Sequence, residues 1–311
     1  MKIISTIALA TSALLACVSC DDNGQFAEEQ YKKVIYLLSE GNSRVFPGIH
    51  KLDEPVSTGY VTVASGGTNL IDENVTVEFE RDDSLLNAYN KTNFDIDTEK
   101  YAKELDPSRF DIQSYSLTMK TGSENPYALL PIRVYTEGLS PDSTYFIPLR
   151  IKSVSNYEVN PKYNAVLYRV YLENDYAQQK EKTVYTVRGE RQVGNGVVAK
   201  VTLDKRAYPI TKDQIRIFAD TKNSSEKLDE INRYSILLQI KQDSTISITS
   251  YKPEFLQVEQ LNINEGDNRI RPDVLGVYRT YIHYKYRTRA TTQDEFEDEW
   301  TTMNLNMKRV E

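Results

Sequence analysis

The sequence predicts an all-β protein of two domains, and three observations lead to this fold class. Its apolar residues fall mainly in short runs rich in Tyr and β-branched side chains, which favour pleated, half-buried strands. Turn-forming segments such as residues 137–142 (EGLSPD) separate these runs. The chain of 311 residues is also long enough to bury two hydrophobic cores.

The first half of the chain has the strand pattern of an antiparallel sandwich of immunoglobulin-like type. Residues 75–79 show it most clearly, because Val75, Val77 and Phe79 alternate with polar residues and define a buried face. We expect this domain to cover residues 31–173, with short helical segments only near 84–90 and 97–105. The predicted strands lie at residues 34–38, 60–64, 75–79, 116–119, 130–135, 145–151 and 165–172.

A polar segment, residues 174–186, follows without a sustained apolar face, and we predict that it links the domains. Strand patterns then resume, so residues 187–311 are expected to form a second antiparallel β domain. Its pattern fits either a sandwich or a barrel. The predicted strands lie at residues 197–203, 214–218, 234–240, 244–249, 277–289 and 300–310.

Residues 1–20 have the layout of a bacterial secretory signal, with Lys2 before an uncharged apolar run that is short for a membrane span. Two cysteines, Cys17 and Cys20, are candidates for acylation in a lipobox. Leu14-Leu15-Ala16 before Cys17 fits that motif best, whereas Cys20 is followed by two acidic residues, similar to the surface-export signal of Bacteroidetes lipoproteins. A cleaved signal with incidental cysteines is the alternative.

An acyl anchor would place the protein in the outer membrane, facing the cell exterior, with residues 21–30 as a polar tether. Because Cys17 and Cys20 are the only cysteines, the globular part has no disulfide framework and no cysteine metal cluster. The formal net charge of −7 argues against a nucleic-acid partner.

Sequence motifs of catalysis are absent. The chain has two histidines, His50 and His283, and it lacks a Gly-x-Ser-x-Gly elbow, a phosphate-binding loop and a His-Glu-x-x-His motif. Residues 93–99 (NFDIDTE) offer oxygens at alternate positions, but they lack the glycine and distal glutamate of a calcium loop, so a plain polar loop fits better. We therefore expect no enzyme activity, no metal and no cofactor.

Two segments of the first half carry a family resemblance. Residues 78–90 (EFERDDSLLNAYN) and 138–149 (GLSPDSTYFIPL) are similar to the N-terminal domain of unknown function of a family of Bacteroidetes surface lipoproteins. Residues 208–218 more loosely resemble the C-terminal domain that often accompanies it. The resemblance implies a place beside starch-utilisation-type outer-membrane transporters and a role in capturing glycans. It implies no catalytic residues.

Residues 277–289 (VYRTYIHYKYRTR) contain the strongest candidates for ligand contacts. On one strand face lie Tyr278, Ile282, Tyr284 and Tyr286, which we expect to be buried. The other face is basic and aromatic and includes Arg279, Tyr281 and His283. Aromatic faces stack on sugar rings while polar groups bond hydroxyls, in keeping with the usual design of ligand sites. We therefore predict ligand contacts at Tyr281, Arg279, His283, Tyr251 beside a turn and Trp300 at the last strand.

A second interpretation of this basic face is purely structural. If the last two strands form a hairpin, the acidic residues 294–299 lie near Arg287 and Arg289 and neutralise them. The overall expectation is a non-catalytic surface protein that captures glycan beside a transporter complex. The alternative is a structural or adhesive protein that docks to other proteins through sheet edges.

Overall fold

The computed structural model describes residues 29–272 and 278–310 and confirms the all-β fold with two domains. Each domain consists of two sheets packed face to face. The signal segment, Cys17, Cys20 and most of the tether lie outside the described residues. Within the described residues, no helix is long and apolar enough to span a bilayer.

The described residues of the N-terminal domain form eleven strands, β1 to β11, and one α-helix. Sheet A has the order β10-β1-β3-β8-β6, and sheet B has the order β2-β11-β9-β4-β7 with β5 paired to β9. Short 3-10 turns at Thr98–Lys100 and Pro107–Arg109 flank β5. The elements are β1 (Val34–Leu37), β2 (Val45–Lys51), β3 (Val56–Ser65), β4 (Val75–Arg81), α1 (Ser84–Phe94), β5 (Lys103–Glu104), β6 (Phe110–Asp111), β7 (Ser116–Met119), β8 (Tyr127–Tyr135), β9 (Tyr145–Val154), β10 (Glu158–Val159) and β11 (Ala165–Glu173).

The two sheets of this domain meet through alternating apolar side chains. On β4 the predicted face of Val75, Val77 and Phe79 is buried, and it packs with residues of sheet A such as Val61 and Ile132 in one core. Each fully buried aliphatic side chain of this kind contributes about 1.5–3 kcal/mol. Most strand pairs of this domain are antiparallel, as predicted, while β1–β10, β2–β11 and β5–β9 pair in parallel.

Strand β2 was not predicted, because Pro47 and Gly48 interrupt its sequence pattern. It lies at the edge of sheet B, where a proline costs no ladder hydrogen bond. Next to β2, the fully buried Tyr168 forms a hydrogen bond between its hydroxyl oxygen and His50 Nε2, which lie 2.8 Å apart. A methyl group at Gly48 would lie 2.1 Å from Tyr168 Cζ, and one at Gly59 would lie 1.8 Å from the phenol oxygen, so both glycines make room for this ring.

The C-terminal domain is a sandwich rather than a barrel. Sheet C has the order β13-β12-β21-β20-β18 with β19 also paired to β20, and sheet D has the order β14-β15-β16-β17. Residues of both sheets share one core. The elements are β12 (Val184–Val193), β13 (Ala199–Arg206), β14 (Tyr208–Thr211), β15 (Gln214–Phe218), α2 (Leu228–Tyr234), β16 (Ser235–Ile240), β17 (Ile246–Ser250), β18 (Leu256–Gln260), β19 (Arg269–Pro272), β20 (Tyr278–Thr288) and β21 (Thr301–Arg309).

The segment expected to link the domains, residues 174–186, is held by specific contacts, and its last residues belong to β12. The Asn174 amide donates to the carbonyls of Thr211 and Gln214 at 2.6 and 3.0 Å. Ala177 is fully buried in the C-terminal core. These contacts fix the segment to the second domain.

A buried ion pair also joins the two domains. The guanidinium of Arg216 on β15 is fully buried and donates to both carboxylate oxygens of Asp142, which lies between β8 and β9. Tyr208 and Tyr251 pack on this guanidinium with ring centres 4.6 and 5.0 Å away. We call these four residues the junction clamp.

Candidate functional site

A groove of about 520 Å³ lies on the face of sheet C that points away from the C-terminal core. We call it the sheet groove. Tyr281 of β20 lines it together with side chains of β12, β13 and β21. The opposite face of β20 carries Ile282, Tyr284 and Tyr286, all buried, so the predicted orientation of this strand is confirmed.

Strand register places five polar side chains in one row across five neighbouring strands. Thr202 pairs with Arg188, Arg188 with Asn306, Asn306 with Tyr281, and Tyr281 with Arg269. Directly paired residues on adjacent strands project from the same face with β-carbons about 4.5–5.5 Å apart. The row therefore presents a hydroxyl, a guanidinium, an amide, a phenol ring and a second guanidinium side by side.

The neighbouring row supplies one end of the groove. Glu190 and Lys200 pair there as a salt bridge, and Asn304 lies opposite Glu190. The Oδ1 atom of Asn306 is buried and has no hydrogen-bond partner among the described residues. A buried acceptor without a partner is unfavourable by about 1–3 kcal/mol, so a ligand or water that donates to it would be stabilised.

The groove combines the two features that sugar recognition needs. The half-buried ring of Tyr281 offers a flat apolar surface, and the flanking amides and guanidinium groups offer fixed donors and acceptors. The described residues contain no group of three or more His, Cys, Asp or Glu side chains placed to hold a metal ion. The arrangement can therefore bind neutral polar ligands through stacking and hydrogen bonds.

Arg279 and His283 were predicted to contact ligand beside Tyr281. Arg279 lies near Tyr281, whereas His283 is covered by another segment of the chain. Arg279 belongs to the adjacent row, where it faces Lys308 and Arg271 on the flanking strands. The His283 ring is only 6% exposed; its Nδ1 lies 2.8 Å from an Asp267 carboxylate oxygen. Its backbone N–H donates to Asn268. These contacts hold His283 beneath residues 261–268 and leave it no surface for a ligand.

Trp300 lies on the same sheet face but far from Tyr281. Its ring contacts Lys285 and Arg287, whose charged groups lie 4.5 and 4.8 Å from the ring centre. Arg287 is six residues from Tyr281 along β20, a separation of about 20 Å in a strand. Trp300 and Tyr281 therefore belong to different parts of the surface.

The predicted hairpin of β20 and β21 is confirmed, and the acidic segment 294–299 does lie near Arg287 and Arg289. The contacts differ from the prediction. Both guanidinium groups approach backbone carbonyls and the Phe296 ring, while the Glu297 carboxylate approaches Arg233 at 3.3 Å. The segment thus covers the basic end of β20 mainly through its backbone and an aromatic ring.

Tyr251 lies in the junction clamp, in contact with the buried Arg216. The other residues of the row, Arg188, Thr202, Arg269 and Asn306, were not singled out in the sequence. No local signal marks them as one group, because Thr202 and Arg188 join the rest of the row only through the pairing of β12 with β21, which are distant in sequence.

These observations define a two-domain β-sandwich protein with a polar groove on one sheet. Two family models match the chain: residues 31–158 match a family of N-terminal domains, and residues 164–308 match a family of C-terminal domains. No curated protein matches the sequence.

Several crystal structures share the fold. A Bacteroides ovatus protein of unknown function is 15% identical with a TM-score of 0.63, covering 90% of this chain and 95% of its own. A Bacteroides ovatus multidomain protein including DUF1735 is 15% identical with a TM-score of 0.60, covering 90% and 95%. An auxiliary nutrient binding protein from Bacteroides thetaiotaomicron is 16% identical with a TM-score of 0.59, covering 88% and 93%. At these identities the likeness concerns the fold.

Proposed function

We propose that this protein is a non-catalytic lipoprotein of the outer-membrane surface that binds glycan in the sheet groove. In this proposal Cys17 or Cys20 carries the acyl anchor, and the N-terminal sandwich, of immunoglobulin-like type, acts as a spacer. The C-terminal domain presents the ligand surface beside a starch-utilisation-type transporter complex. Binding is reversible capture and needs no metal or cofactor.

The observation that carries the proposal is the five-strand row of Thr202, Arg188, Asn306, Tyr281 and Arg269. Tyr281 stacks on the C–H face of a sugar ring, and the amide and guanidinium groups on either side bond its hydroxyls. A rigid sheet fixes their spacing, so little conformational entropy is lost on binding. The fold shared with an auxiliary nutrient binding protein is consistent with this role.

A glycan array probed with the purified protein tests the proposal. We expect a small set of related polysaccharides to bind, and affinity electrophoresis with those polysaccharides to show retardation that Tyr281→Ala abolishes. Trp300→Ala is the matched aromatic control, because Trp300 lies outside the groove, and it should retain binding. Failure to bind any polysaccharide would refute the glycan function.

One surface favours the rival function of docking to another protein. The outer face of sheet A exposes Tyr60, Tyr127 and Leu129, each more than 40% accessible. Leu129 pairs with Thr62 and Tyr127 with Ala64, so the three lie on adjacent strands close together. Clustered exposed apolar side chains often mark protein contacts. Pull-down of an outer-membrane protein that is lost in Tyr60→Ala would support this role, and unchanged capture would argue against it.

A further inference from the structure

A second cavity, of about 410 Å³, lies between the two domains. We call it the domain cleft. Its N-terminal wall comes from the end of α1, the 3-10 turn after it, β5 and β11. Its other wall comes from the linking segment, the end of β13, β14 and the residues before α2. Cavities of this size at domain boundaries are frequent ligand sites.

The cleft is basic in a protein that is acidic overall. Six basic and three acidic side chains line it, whereas the whole chain carries a formal charge of −7. One of the three acids, Asp142, is already neutralised by the buried Arg216. The cleft therefore has a positive local potential, which low-dielectric walls focus toward its interior.

Four of these six cations have no ionic partner among the residues that the structure describes. Lys103, Arg169, Lys182 and Arg206 make no ion pair there, whereas Lys100 pairs with Asp97 and Lys180 with Glu181. The Nε atom of Arg206 is buried and has no hydrogen-bond partner among the described residues. A buried donor without an acceptor is unfavourable, and an oxyanion in the cleft would supply the missing acceptor.

Each domain contributes one arginine stacked on a tyrosine. On β11 the Arg169 guanidinium lies 4.4 Å from the Tyr171 ring centre, and near the start of β14 the Arg206 guanidinium lies 4.7 Å from the Tyr208 ring centre. Stacking fixes the plane of a guanidinium while its N–H edge stays available to a carboxylate or sulfate. Tyr208 is buried between Arg206 and Arg216, whereas the half-buried Tyr171 ring also offers surface for an attached sugar ring.

We propose that the domain cleft binds the oxyanion group, sulfate or carboxylate, of an acidic saccharide, with Arg169 and Arg206 as the paired contacts from the two domains. Lys103 and Lys182 add positive charge at the rim. This site is separate from the sheet groove and does not depend on the groove's function. The same chemistry would accept a free inorganic anion, so the test must separate the two sources.

Isothermal titration of the purified protein tests this proposal with four probes: chondroitin sulfate oligosaccharides, oligogalacturonate, neutral dextran oligosaccharides and sodium sulfate. We expect one of the two acidic oligosaccharides to bind, with an affinity that falls as salt is raised. Arg206→Gln and Arg169→Gln should each weaken it about tenfold or more, the loss expected for a charge-assisted hydrogen bond. Any heat of binding measured with dextran should be the same for wild type and for both arginine variants.

Two control variants, Lys152→Gln and Tyr281→Ala, and one further test variant, Lys182→Gln, sharpen the experiment. Lys152→Gln removes one exposed positive charge of β9 outside the cleft and should leave binding unchanged. Lys182→Gln removes an exposed cleft charge and cannot disturb a core, so it tests the site even if an arginine variant unfolds. Tyr281→Ala should have no effect, which separates this site from the groove.

The outcomes are distinct. Sulfate binding that equals oligosaccharide binding and depends on Arg206 would support the anion site and identify a free ion as its ligand. Absence of binding by every anionic probe would overturn the proposal. Binding that Arg169→Gln, Arg206→Gln and Lys182→Gln all leave unchanged would overturn it as well.

Discussion

At the scale of single residues, His50 has an unusual environment for a histidine. It is fully buried beside Tyr168, and burial lowers the pKa of its imidazole from 6.5 to about 4. Burial also raises the pKa of the Tyr168 hydroxyl. Both groups are therefore neutral in the folded protein at pH 7, and their mutual hydrogen bond is one between uncharged partners.

This environment predicts a loss of stability in acid. Between pH 6.5 and about 4 the unfolded chain protonates His50 and the folded protein does not, so the free energy of unfolding falls as pH falls through this window. The full shift amounts to about 3 kcal/mol. Urea unfolding from pH 7.5 to 4 should show this loss, and His50→Gln should remove that part of the pH dependence. An identical pH dependence in both proteins would contradict the account.

At the scale of elements, the close approach of β2 and β3 to β11 depends on two glycines. Because a methyl group at Gly48 or Gly59 would overlap the Tyr168 side chain, Gly48→Ala and Gly59→Ala should each destabilise the protein by about 1–3 kcal/mol or more. Gly266→Ala is the control, since its methyl group would meet only Arg271 at 3.5 Å. Chemical denaturation provides the comparison.

A second substitution, at Tyr168, distinguishes the effects of Gly48→Ala and Gly59→Ala. At Gly59 the overlap is with the phenol oxygen, whereas at Gly48 it also involves ring carbons. Tyr168→Phe should therefore reduce the cost of Gly59→Ala and leave the cost of Gly48→Ala nearly unchanged. Equal costs in both backgrounds would show that the ring does not determine the packing of these strands.

The elements also show what could be predicted from the sequence. Strands with clear apolar alternation, such as β4 and β11, were predicted within a few residues, because one buried face leaves a period-two pattern. Strand β2 was missed because its Pro47 and Gly48 are typical of turns, and β19 because its four residues include a single aliphatic. Such short or edge strands form because their backbone groups hydrogen-bond to an adjacent strand, not because of an apolar pattern in their own sequence.

The sheet groove was predictable only in part. The alternation of β20 correctly placed Tyr281 on the outer face. Asn306 pairs with Tyr281 within the predicted β20–β21 hairpin. Arg188 joins the row only by pairing with Asn306, more than a hundred residues away, and nothing local encodes that pairing. The burial of His283 depends on Asp267 and Asn268 from a separate loop, so the pattern of β20 alone could not reveal it.

At the scale of the whole molecule, the junction clamp couples the two domains. Asp142→Asn leaves the fully buried Arg216 without its counter-charge, and such a change lowers the free energy of unfolding by about 3–5 kcal/mol. We expect a lower melting temperature and a calorimetric trace that resolves into two domain transitions. Glu158→Gln, which removes a partner of the exposed pair with Lys32, should change stability by no more than about 1 kcal/mol. One unchanged transition for Asp142→Asn would contradict the coupling.

At this scale the molecule consists of two sandwiches joined by the junction clamp, with the sheet groove on the C-terminal one. In the proposed function, the N-terminal sandwich is the spacer between the acyl anchor and this binding domain. The domain cleft between them would add a second contact for an acidic ligand.

The most direct measurement is the dissociation constant of the best glycan from the array for wild type, Tyr281→Ala and Tyr60→Ala, determined by isothermal titration. Tyr60 is an exposed tyrosine of the N-terminal domain and is a matched control. Loss of one stacked ring and its contacts should weaken binding about tenfold or more, equivalent to about 1.4 kcal/mol, in Tyr281→Ala alone. Equal affinity of all three proteins would contradict glycan capture in the sheet groove.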